Sequence, residues 1–402
     1  MLRENRIELI QDPSTSRELQ FARCHARLKR RARRVALRDE ILATRVFGRP
    51  LVTACAALAL GLWIAGSAQA GDDLIVDAGR GPVTIHVPPS YEPGVPAPLV
   101  LLLHGYCSDG NEQEAYMQFT PLADEHGFLY AHPDGLIDFI GCRYWNGTDA
   151  CCDFFGNTDD SGYLQALIDE VKAQASVDDR RVFLIGHSNG GFMSYRMACD
   201  HPNTIAAIAS LAGATFIEPD DCSPAAPVHT LQIHGTLDLT ILYNGGCFAP
   251  DVCYPGAIET TEQWADFDGC LLDPDTSSPP LDLDAGIPGD ETFVWQYSNG
   301  CDPNGSAELW TIVGGAHSPN LSSDFSSLVI EFLLAHPKSD ECAGDANGDG
   351  TVDPLDSGYV LARFGCLVGV GDPDCDSADQ NGDGSVDPLD SGFVLARFGE
   401  CP

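Results

Sequence analysis

The sequence predicts an α/β fold, with a mostly parallel sheet covered by helices, followed by a small all-α module. The first observation is a series of continuous apolar runs that alternate with helical patterns between residues 71 and 337. Such runs are typical of strands buried on both faces of a sheet. The second is a strand–turn–helix pattern at residues 182–199. The third is an acidic segment that occurs twice within residues 342–402.

The main part of the chain, residues 71–337, is expected to form one large domain. Strands are expected at 99–103, 182–185, 205–211, 229–234 and 308–313, and helices at 163–173, 193–199 and 325–335. The runs are short enough for strands, whereas the helical stretches repeat apolar residues with a period near 3.6. The segment 273–290 is rich in Pro, Asp and Ser and is expected to be a surface excursion.

Residues 1–70 are predicted to be an N-terminal extension that contains a secretory signal peptide. A basic start precedes the apolar stretch 51–66 and the small-residue sequence Ser67-Ala68-Gln69-Ala70. This order is typical of export signals, and we expect cleavage after Ala70. A membrane anchor is the alternative, but the apolar stretch is short for a bilayer span. The chain is therefore predicted to be secreted and free of the membrane after cleavage.

The charge of the chain is strongly uneven. Residues 1–70 carry 13 Lys and Arg and 6 Asp and Glu, so that the rest, from totals of 22 and 59, has a net charge of −44. Nucleic-acid binding is excluded for such a surface, because phosphate contacts need clustered cations. Of 16 cysteines, 14 follow the signal segment. Their even number predicts disulfides formed in an oxidising compartment, with a connectivity that the sequence leaves open.

Ser188 is the predicted nucleophile of a serine hydrolase. It is the central residue of Gly186-His187-Ser188-Asn189-Gly190, which follows the apolar run 182–185. This G-x-S-x-G pattern between a strand and a helix forms a sharp turn that exposes the serine hydroxyl. The neighbouring glycines leave room where strand and helix nearly touch. His187 is expected to point away from the nucleophile.

A serine hydroxyl is a weak nucleophile without a base. His317 is predicted to be that base, because it lies on a loop directly after the strand 308–313. Asp238, after the strand 229–234, is predicted to hold the imidazole in the right tautomer. Asp251, Asp266 and Asp268 compete for this role but lie further from a strand end.

The oxyanion of the transition state needs backbone N–H donors. One is expected from Asn189, the residue after the nucleophile, and the other from Tyr106, in the loop after the strand 99–103. His104 in the same loop is expected to be structural.

The repeated acidic segment predicts two calcium loops, each followed by a short helix. Oxygen ligands at loop positions 1, 3, 5, 7 and 12, with glycine at position 6, are the pattern of such loops. The predicted ligands of the first loop are Asp345, Asn347, Asp349, Thr351 and Asp356. Those of the second are Asp379, Asn381, Asp383, Ser385 and Asp390. Calcium is the only cofactor expected, and its role is structural.

Several motifs in the main domain carry a family resemblance. In chain order they are His104-Gly105, Tyr144-Trp145-Asn146, Cys151-Cys152, the segment 159–164, Gly186 to Gly191, His234 to Asp238 and Gly314 to His317. Together they resemble the secreted polyhydroxybutyrate depolymerase and feruloyl esterase-like family of α/β-hydrolases across residues 75–335. The resemblance implies an α/β-hydrolase fold and triad roles for Ser188, Asp238 and His317. It also implies that Trp145 lines the acyl or aromatic pocket. The chain departs from the family pattern at Leu242 and Pro319, which border that pocket in the family.

Residues 342–402 resemble a dockerin module, because two calcium loops with Asp at position 12 are paired at the end of the chain. Dockerins anchor secreted polysaccharide-degrading enzymes to cohesin partners, so the resemblance implies a cohesin-like partner. Positions 10 and 11, which dockerins use for recognition, are usually small hydroxyl residues. Here they are Pro354-Leu355 and Pro388-Leu389.

The expected function is that of a secreted serine ester hydrolase that works through an acyl-enzyme. Its predicted substrates are feruloyl or acetyl esters of polysaccharide, or a polyhydroxyalkanoate-type polyester. A serine peptidase of the same fold is one alternative. A non-catalytic, calcium-dependent binding or scaffold protein is another.

Overall fold

The computed structural model describes residues 69–152, 158–250, 252–338, 346, 351–366, 375, 378–380, 385–395 and 399–400. The predicted signal segment up to residue 68 thus lies outside the described residues. Among the described helices, none is both long and apolar enough to cross a bilayer.

The described part of the chain contains both strands and helices. The strands are β1 (Leu74–Asp77), β2 (Pro82–Ile85), β3 (Ala97–Leu103), β4 (Leu129–Ala131), β5 (Leu136–Ile137), β6 (Arg143–Tyr144), β7 (Val177–His187), β8 (Ala207–Leu211), β9 (His229–Gly235), β10 (Gly246–Ala249), β11 (Val252–Tyr254), β12 (Thr292–Tyr297), β13 (Ala307–Ile312), β14 (Thr351–Val352) and β15 (Gly399–Glu400). The helices are α1 (Gly110–Met117), α2 (Thr120–His126), α3 (Asp160–Gln174), α4 (Asn189–Asp200), α5 (Ala257–Phe267), α6 (Phe325–Ala335), α7 (Pro354–Leu361) and α8 (Pro388–Leu395).

A seven-stranded sheet forms the centre of the main domain, in the order β12-β13-β9-β8-β7-β3-β4. Its strands pair in parallel except for the edge strand β12, which is antiparallel to β13. The prediction of a mostly parallel sheet covered by helices is therefore confirmed. All five predicted strands belong to this sheet, because continuous apolar runs can be buried on both faces.

Helices cover both faces of the sheet. Along β3, Leu99, Leu101 and Leu103 contribute to one apolar core, whereas Val100 and Leu102 contribute to the other. This alternation follows from the two-residue period of a strand. Helices α3, α4 and α5 pack into the first core, and α1, α2 and α6 pack into the second. The carboxyl ends of the parallel strands remain open between these layers.

The described part of the C-terminal module has a core of six small apolar residues. They are Ala346, Val352, Val360, Ala378, Val386 and Val394. The expectation of an all-α module is wrong in one respect, because β14 pairs with β15 in a short antiparallel ladder. The extended backbone at Thr351 and Val352 gives a strand where the sequence pattern indicated only a loop.

Six disulfides connect described cysteines. They join Cys107 to Cys142, Cys151 to Cys152, Cys199 to Cys222, Cys247 to Cys253, Cys270 to Cys301 and Cys366 to Cys375. Cys342 and Cys401 lie outside the described residues. Every cysteine of the described part is thus paired, as expected for an oxidising compartment.

Candidate active site

The turn between β7 and α4 holds Ser188 in an unusual backbone conformation. Its φ is 54° and its ψ is −118°, a region that side chains other than glycine rarely occupy. The Ser188 N–H donates to the carbonyl of Leu211 on the neighbouring strand at 2.7 Å. These constraints lift the hydroxyl out of the sheet at the carboxyl end of β7.

Glycine is required beside this turn because strand and helix are in contact. A Cβ on Gly186 would lie 2.1 Å from the backbone carbon and oxygen of Gly190. A Cβ on Gly190 would lie 2.1 Å from the Leu103 carbonyl oxygen. The neighbouring atoms are backbone and cannot move without displacing β3 or α4.

Gly186→Ala is expected to destabilise the domain by about 3 kcal/mol or more, because the methyl group overlaps backbone atoms in a packed core. Thermal unfolding and the yield of soluble protein measure the effect. Gly358→Ala is the matched control: no atom lies within 4 Å of its Cβ position, and alanine is the better helix former. An alanine variant at Gly186 with an unchanged melting temperature would contradict this reading of the turn.

The structure brings Ser188, His317 and Asp238 together from three strand ends. His317 Nε2 lies 2.9 Å from Ser188 Oγ, and His317 Nδ1 lies 2.7 Å from Asp238 Oδ2. These contacts orient the imidazole with one nitrogen toward the hydroxyl and the other toward the carboxylate. The arrangement is that of a nucleophile, a base and an orienting acid.

The Asp238 carboxylate is fully buried. Its Oδ1 accepts the N–H groups of Thr240 and Ile241 at 2.8 and 2.9 Å. Burial opposes ionisation, but hydrogen bonds from His234, His317 and these backbone groups outweigh it and hold the pKa of Asp238 well below its usual range. The Asp238 carboxylate is therefore ionised at neutral pH and can accept the hydrogen bond from His317 Nδ1.

Of the competing acids that the structure describes, neither is hydrogen-bonded to His317, whose Nδ1 contacts Asp238. Asp266 is exposed on α5, and Asp251 lies outside the described residues. Asp268 is buried elsewhere, where its Oδ1 accepts the Val228 N–H at 3.1 Å. Burial, the largest cause, raises the pKa of Asp268 well above its usual value.

His187 does not point away from the site, so that expectation is wrong. Its ring centre lies 5.1 Å from that of His317, and its Nε2 donates to the His317 carbonyl at 3.0 Å. Burial and then the neighbouring His317 lower the pKa of His187 to about 4. A neutral His187 therefore supports the loop that carries His317 through this hydrogen bond. It can do so because it is the last residue of β7 and lies beside that loop.

The two predicted oxyanion donors flank Ser188. Asn189 begins α4, and Tyr106 lies on the loop after β3. Within the described part of the chain, neither backbone N–H donates to another protein group. Tyr106 lines the cavity over Ser188, whereas Asn189 is fully buried, and the role of both as oxyanion donors stays a prediction.

The loop that carries Tyr106 is held from several sides. The Gly105 N–H donates to Gln113 Oε1 at 3.3 Å, and the Tyr106 hydroxyl donates to Asp138 Oδ2 at 2.5 Å. That hydrogen bond, and then burial, raises the pKa of Tyr106 to about 12. The disulfide between Cys107 and Cys142 ties the loop to the β5–β6 hairpin. Together these contacts make the loop rigid next to the nucleophile.

Trp145 is fully buried, so the expectation that it lines the substrate pocket is wrong. Its ring packs 5.1 Å from that of His104. Its backbone forms two hydrogen bonds with the Asn189 side chain, at 2.7 and 2.9 Å. Trp145 thus packs against the loop after β3, through His104, and is hydrogen-bonded to the start of α4, through Asn189. Pro319 is buried as well, and its carbonyl accepts the Tyr116 hydroxyl at 2.7 Å.

A cavity of about 320 Å³ opens above Ser188 and His317. Three aromatic side chains line it, those of Tyr106, Tyr116 and His187. Its other polar lining residues are Ser108, Glu112, Gln113 and Ser318. A second cavity of about 520 Å³ lies between residues 80–84 and 132–137 and contains none of the three triad residues.

The sequence analysis missed Glu112 and Gln113 of α1, which line the cavity. Helix α1 has no apolar period, but Asp109 caps it by accepting the Glu112 N–H at 2.9 Å. The spacing of Asp109 and Glu112 is a helix-start signal that could have revealed it.

The described part of the module contains some of the predicted calcium ligands. Asp356 and Asp390 are fully buried, and the Oδ2 of each accepts a backbone N–H three residues earlier, at 2.8 Å. Asp379 and Ser385 are described, and Thr351 is described as backbone alone. Among the described residues, no three His, Cys, Asp or Glu side chains form a metal cluster. The ligands outside the described residues are Asp345, Asn347, Asp349, Asn381 and Asp383.

Comparisons with known proteins agree with the fold. A sequence model of the alpha/beta hydrolase fold matches residues 98–228. Feruloyl esterase B of Piromyces equi is 28% identical over 243 residues, which are 59% of this chain and 42% of that protein. The bifunctional acetylxylan esterase/xylanase of Neocallimastix patriciarum is 30% identical over 166 residues, covering 41% and 22%. Poly(3-hydroxyalkanoate) depolymerase C of Paucimonas lemoignei is 28% identical over 268 residues, covering 58% and 57%.

The chain spans less than two thirds of the length of each of these relatives.

Proposed function

Starting from an α/β-hydrolase with feruloyl esterase and polyhydroxyalkanoate depolymerase relatives, we propose that this chain is a secreted serine ester hydrolase. The observation that carries the proposal is the hydrogen-bonded chain from Ser188 through His317 to Asp238, with Ser188 in a strained turn. Strain of this kind persists where the surrounding structure enforces it for function.

The proposed reaction proceeds through an acyl-enzyme. His317 Nε2 takes the hydroxyl proton while Ser188 Oγ attacks the ester carbonyl, and the N–H groups of Tyr106 and Asn189 stabilise the oxyanion. The imidazolium then protonates the leaving alcohol. Water, deprotonated by His317, attacks the acyl-enzyme and releases the acid and free Ser188. Asp238 stabilises the imidazolium in both halves of the reaction.

The proposed acyl group is a hydroxyaryl acid such as a feruloyl group. The aromatic side chains of Tyr106, Tyr116 and His187 line the cavity and offer stacking or edge-on contacts to a planar ring. The cavity is also lined by Glu112 and by Ser108, whose hydroxyl donates to Glu112 Oε2 at 3.1 Å. These groups can hydrogen-bond a phenol, whereas the Glu112 carboxylate disfavours an anionic acyl group.

A substrate panel tests this assignment. Methyl ferulate, acetylated xylan, polyhydroxybutyrate film and a peptide amide are compared by initial rate at equal enzyme concentration. We expect the highest rate on methyl ferulate. Preference for the film would indicate a polyester depolymerase, and preference for the amide would indicate a peptidase; either result contradicts the proposal. If none of the four substrates is hydrolysed, a binding protein would be favoured.

The C-terminal module is proposed to bind calcium at the ten predicted ligands. The carboxylates of Asp356 and Asp390 are fully buried at equivalent positions of the two repeats, and a cation beside them would add charge compensation to the backbone N–H that each accepts. The two repeats also meet at equivalent residues, Ser357 and Ser391, whose hydroxyl oxygens are 2.9 Å apart. When bound, calcium would supply charge compensation that the apolar core alone does not provide.

Removal of calcium is expected to unfold the module while the main domain stays folded. Calcium at a hundred times its dissociation constant adds about 2.7 kcal/mol per site to the free energy of unfolding. Thermal unfolding of the full chain, with calcium and with chelator, is followed by circular dichroism. Hydrolysis of a soluble ester serves as the control for the main domain. Superimposable unfolding curves would contradict calcium binding.

A cohesin-like partner of residues 342–402 stays a prediction. Leu355 and Leu389 occupy equivalent positions and are each 66% exposed. A partner would therefore meet leucine where dockerins usually present small hydroxyl residues.

A further inference from the structure

His234 lies behind the catalytic carboxylate and has no part in the reaction described above. It is on β9, is 1% exposed and does not line the cavity over Ser188. Its Nε2 lies 2.8 Å from the Ile241 carbonyl oxygen and 3.3 Å from Asp238 Oδ2. The imidazole therefore contacts both ends of the turn that presents Asp238.

The hydrogen bonds around His234 determine its tautomer. The Gly213 carbonyl can only accept, so the Gln232 amide is oriented with Nε2 toward it, at 2.8 Å. Gln232 Nε2 also donates to His234 Nδ1 at 2.9 Å, and Gln232 Oε1 accepts from the Tyr195 hydroxyl at 2.9 Å. Because Nδ1 accepts a hydrogen bond, the proton of a neutral imidazole is on Nε2.

That Nε2 proton faces a turn whose geometry determines how Asp238 meets the base. Ile241 is held at both ends of its residue: its N–H donates to Asp238 Oδ1 at 2.9 Å and its carbonyl accepts from His234. The remaining oxygen, Oδ2, is thus turned toward His317 Nδ1. Tyr243 packs edge-on against the His234 ring, with centres 5.8 Å apart, and prevents it from turning.

We propose that His234 is a positioning residue for the hydrolysis: a neutral imidazole, oriented by Gln232 and Tyr195, that locks the turn from Asp238 to Ile241 so that Asp238 Oδ2 meets His317. This inference rests on the proposed function of the triad. It assigns a role to a buried hydrogen-bonded chain that runs from α4 through β9 to the acid.

Two substitutions of similar polarity separate positioning from packing. In His234→Gln the amide nitrogen can occupy the place of Nε2, whereas in His234→Asn the shorter side chain ends near Nδ1. On a p-nitrophenyl ester, we expect His234→Gln to keep kcat within about threefold of the unchanged enzyme. We expect His234→Asn to lower kcat by about 10- to 100-fold, the cost typical of a misplaced catalytic group. KM should stay within about twofold in both, because His234 does not touch the cavity.

A double-mutant cycle supplies a second measurement if a histidine variant does not fold. Gln232→Met removes the donor that selects the tautomer and should lower kcat alone, but add little to His234→Asn, because the two residues act in series. Equal loss of kcat in the Gln and Asn variants, or full additivity with Gln232→Met, would overturn the proposal. Activity that survives Ser188→Ala would instead refute the proposed function itself.

Discussion

Ser188→Ala is expected to lower kcat on a p-nitrophenyl ester by about a million-fold, because loss of a triad nucleophile removes the acyl-enzyme route entirely. The substitution deletes the Oγ that lies 2.9 Å from His317 Nε2. The remaining oxyanion donors and the cavity still bind substrate, so KM should change little where a rate is measurable. Steady-state release of p-nitrophenol measures the effect.

Ser194→Ala is the matched control for this experiment. Ser194 is a fully buried serine on α4, the helix that follows Ser188, and its hydroxyl donates to the Gly190 carbonyl at 2.9 Å. Ser194 has no part in the proposed reaction, so Ser194→Ala should leave kcat within about twofold. If Ser188→Ala hydrolysed the ester at a comparable rate, another nucleophile would have to be sought.

Asp238→Asn is expected to lower kcat by about 10⁴-fold. An amide that keeps its Oδ1 contacts to Thr240 and Ile241 turns its NH₂ toward His317. The imidazole must then accept at Nδ1 and carry its proton on Nε2, where it can no longer accept the Ser188 proton. The matched control is Asp266→Asn on the exposed face of α5, which should keep full activity. Normal turnover by the Asp238 variant would remove Asp238 from the mechanism.

The same variant allows a test of stability against pH. Because folding lowers the pKa of Asp238, its charge stabilises the native state above its unfolded pKa of about 4. This contribution is lost as pH falls from about 4 toward the folded pKa. The difference in melting temperature between the unchanged protein and Asp238→Asn should therefore shrink in acid. A difference in melting temperature that stays constant from pH 7 to pH 3 would show that the hydrogen bonds to ionised Asp238 do not stabilise the native state.

The main sheet and the meeting of Ser188, Asp238 and His317 could be predicted because both depend on local signals. Ser188, Asp238 and His317 each follow directly after a buried parallel strand, and such ends meet at one edge of a sheet. The edge strand β12 and the short β4 were missed. Few residues define them, and their pairing depends on distant parts of the chain.

The surroundings of the triad could not be predicted in the same way. Trp145 was expected in the pocket, but its side chain is buried. Its backbone is held by the Asn189 side chain, which is more than 40 residues away in the sequence. The position of His187 depends on the packing of the His317 loop, which no local pattern encodes. The positions of side chains around a site depend on tertiary contacts between loops. The sequences of loops show no periodic pattern from which these contacts could be predicted.

The bond between Cys107 and Cys142 carries a consequence for when this protein is active. It ties the loop that presents the Tyr106 N–H to the hairpin beside it. A chain still in a reducing compartment has two thiols there, and the loop is then held by hydrogen bonds alone. We expect such a chain to bind esters but to stabilise the oxyanion poorly. Under the proposed secretion, this disulfide would form during export, and the proposed ester hydrolysis would become faster once it has formed.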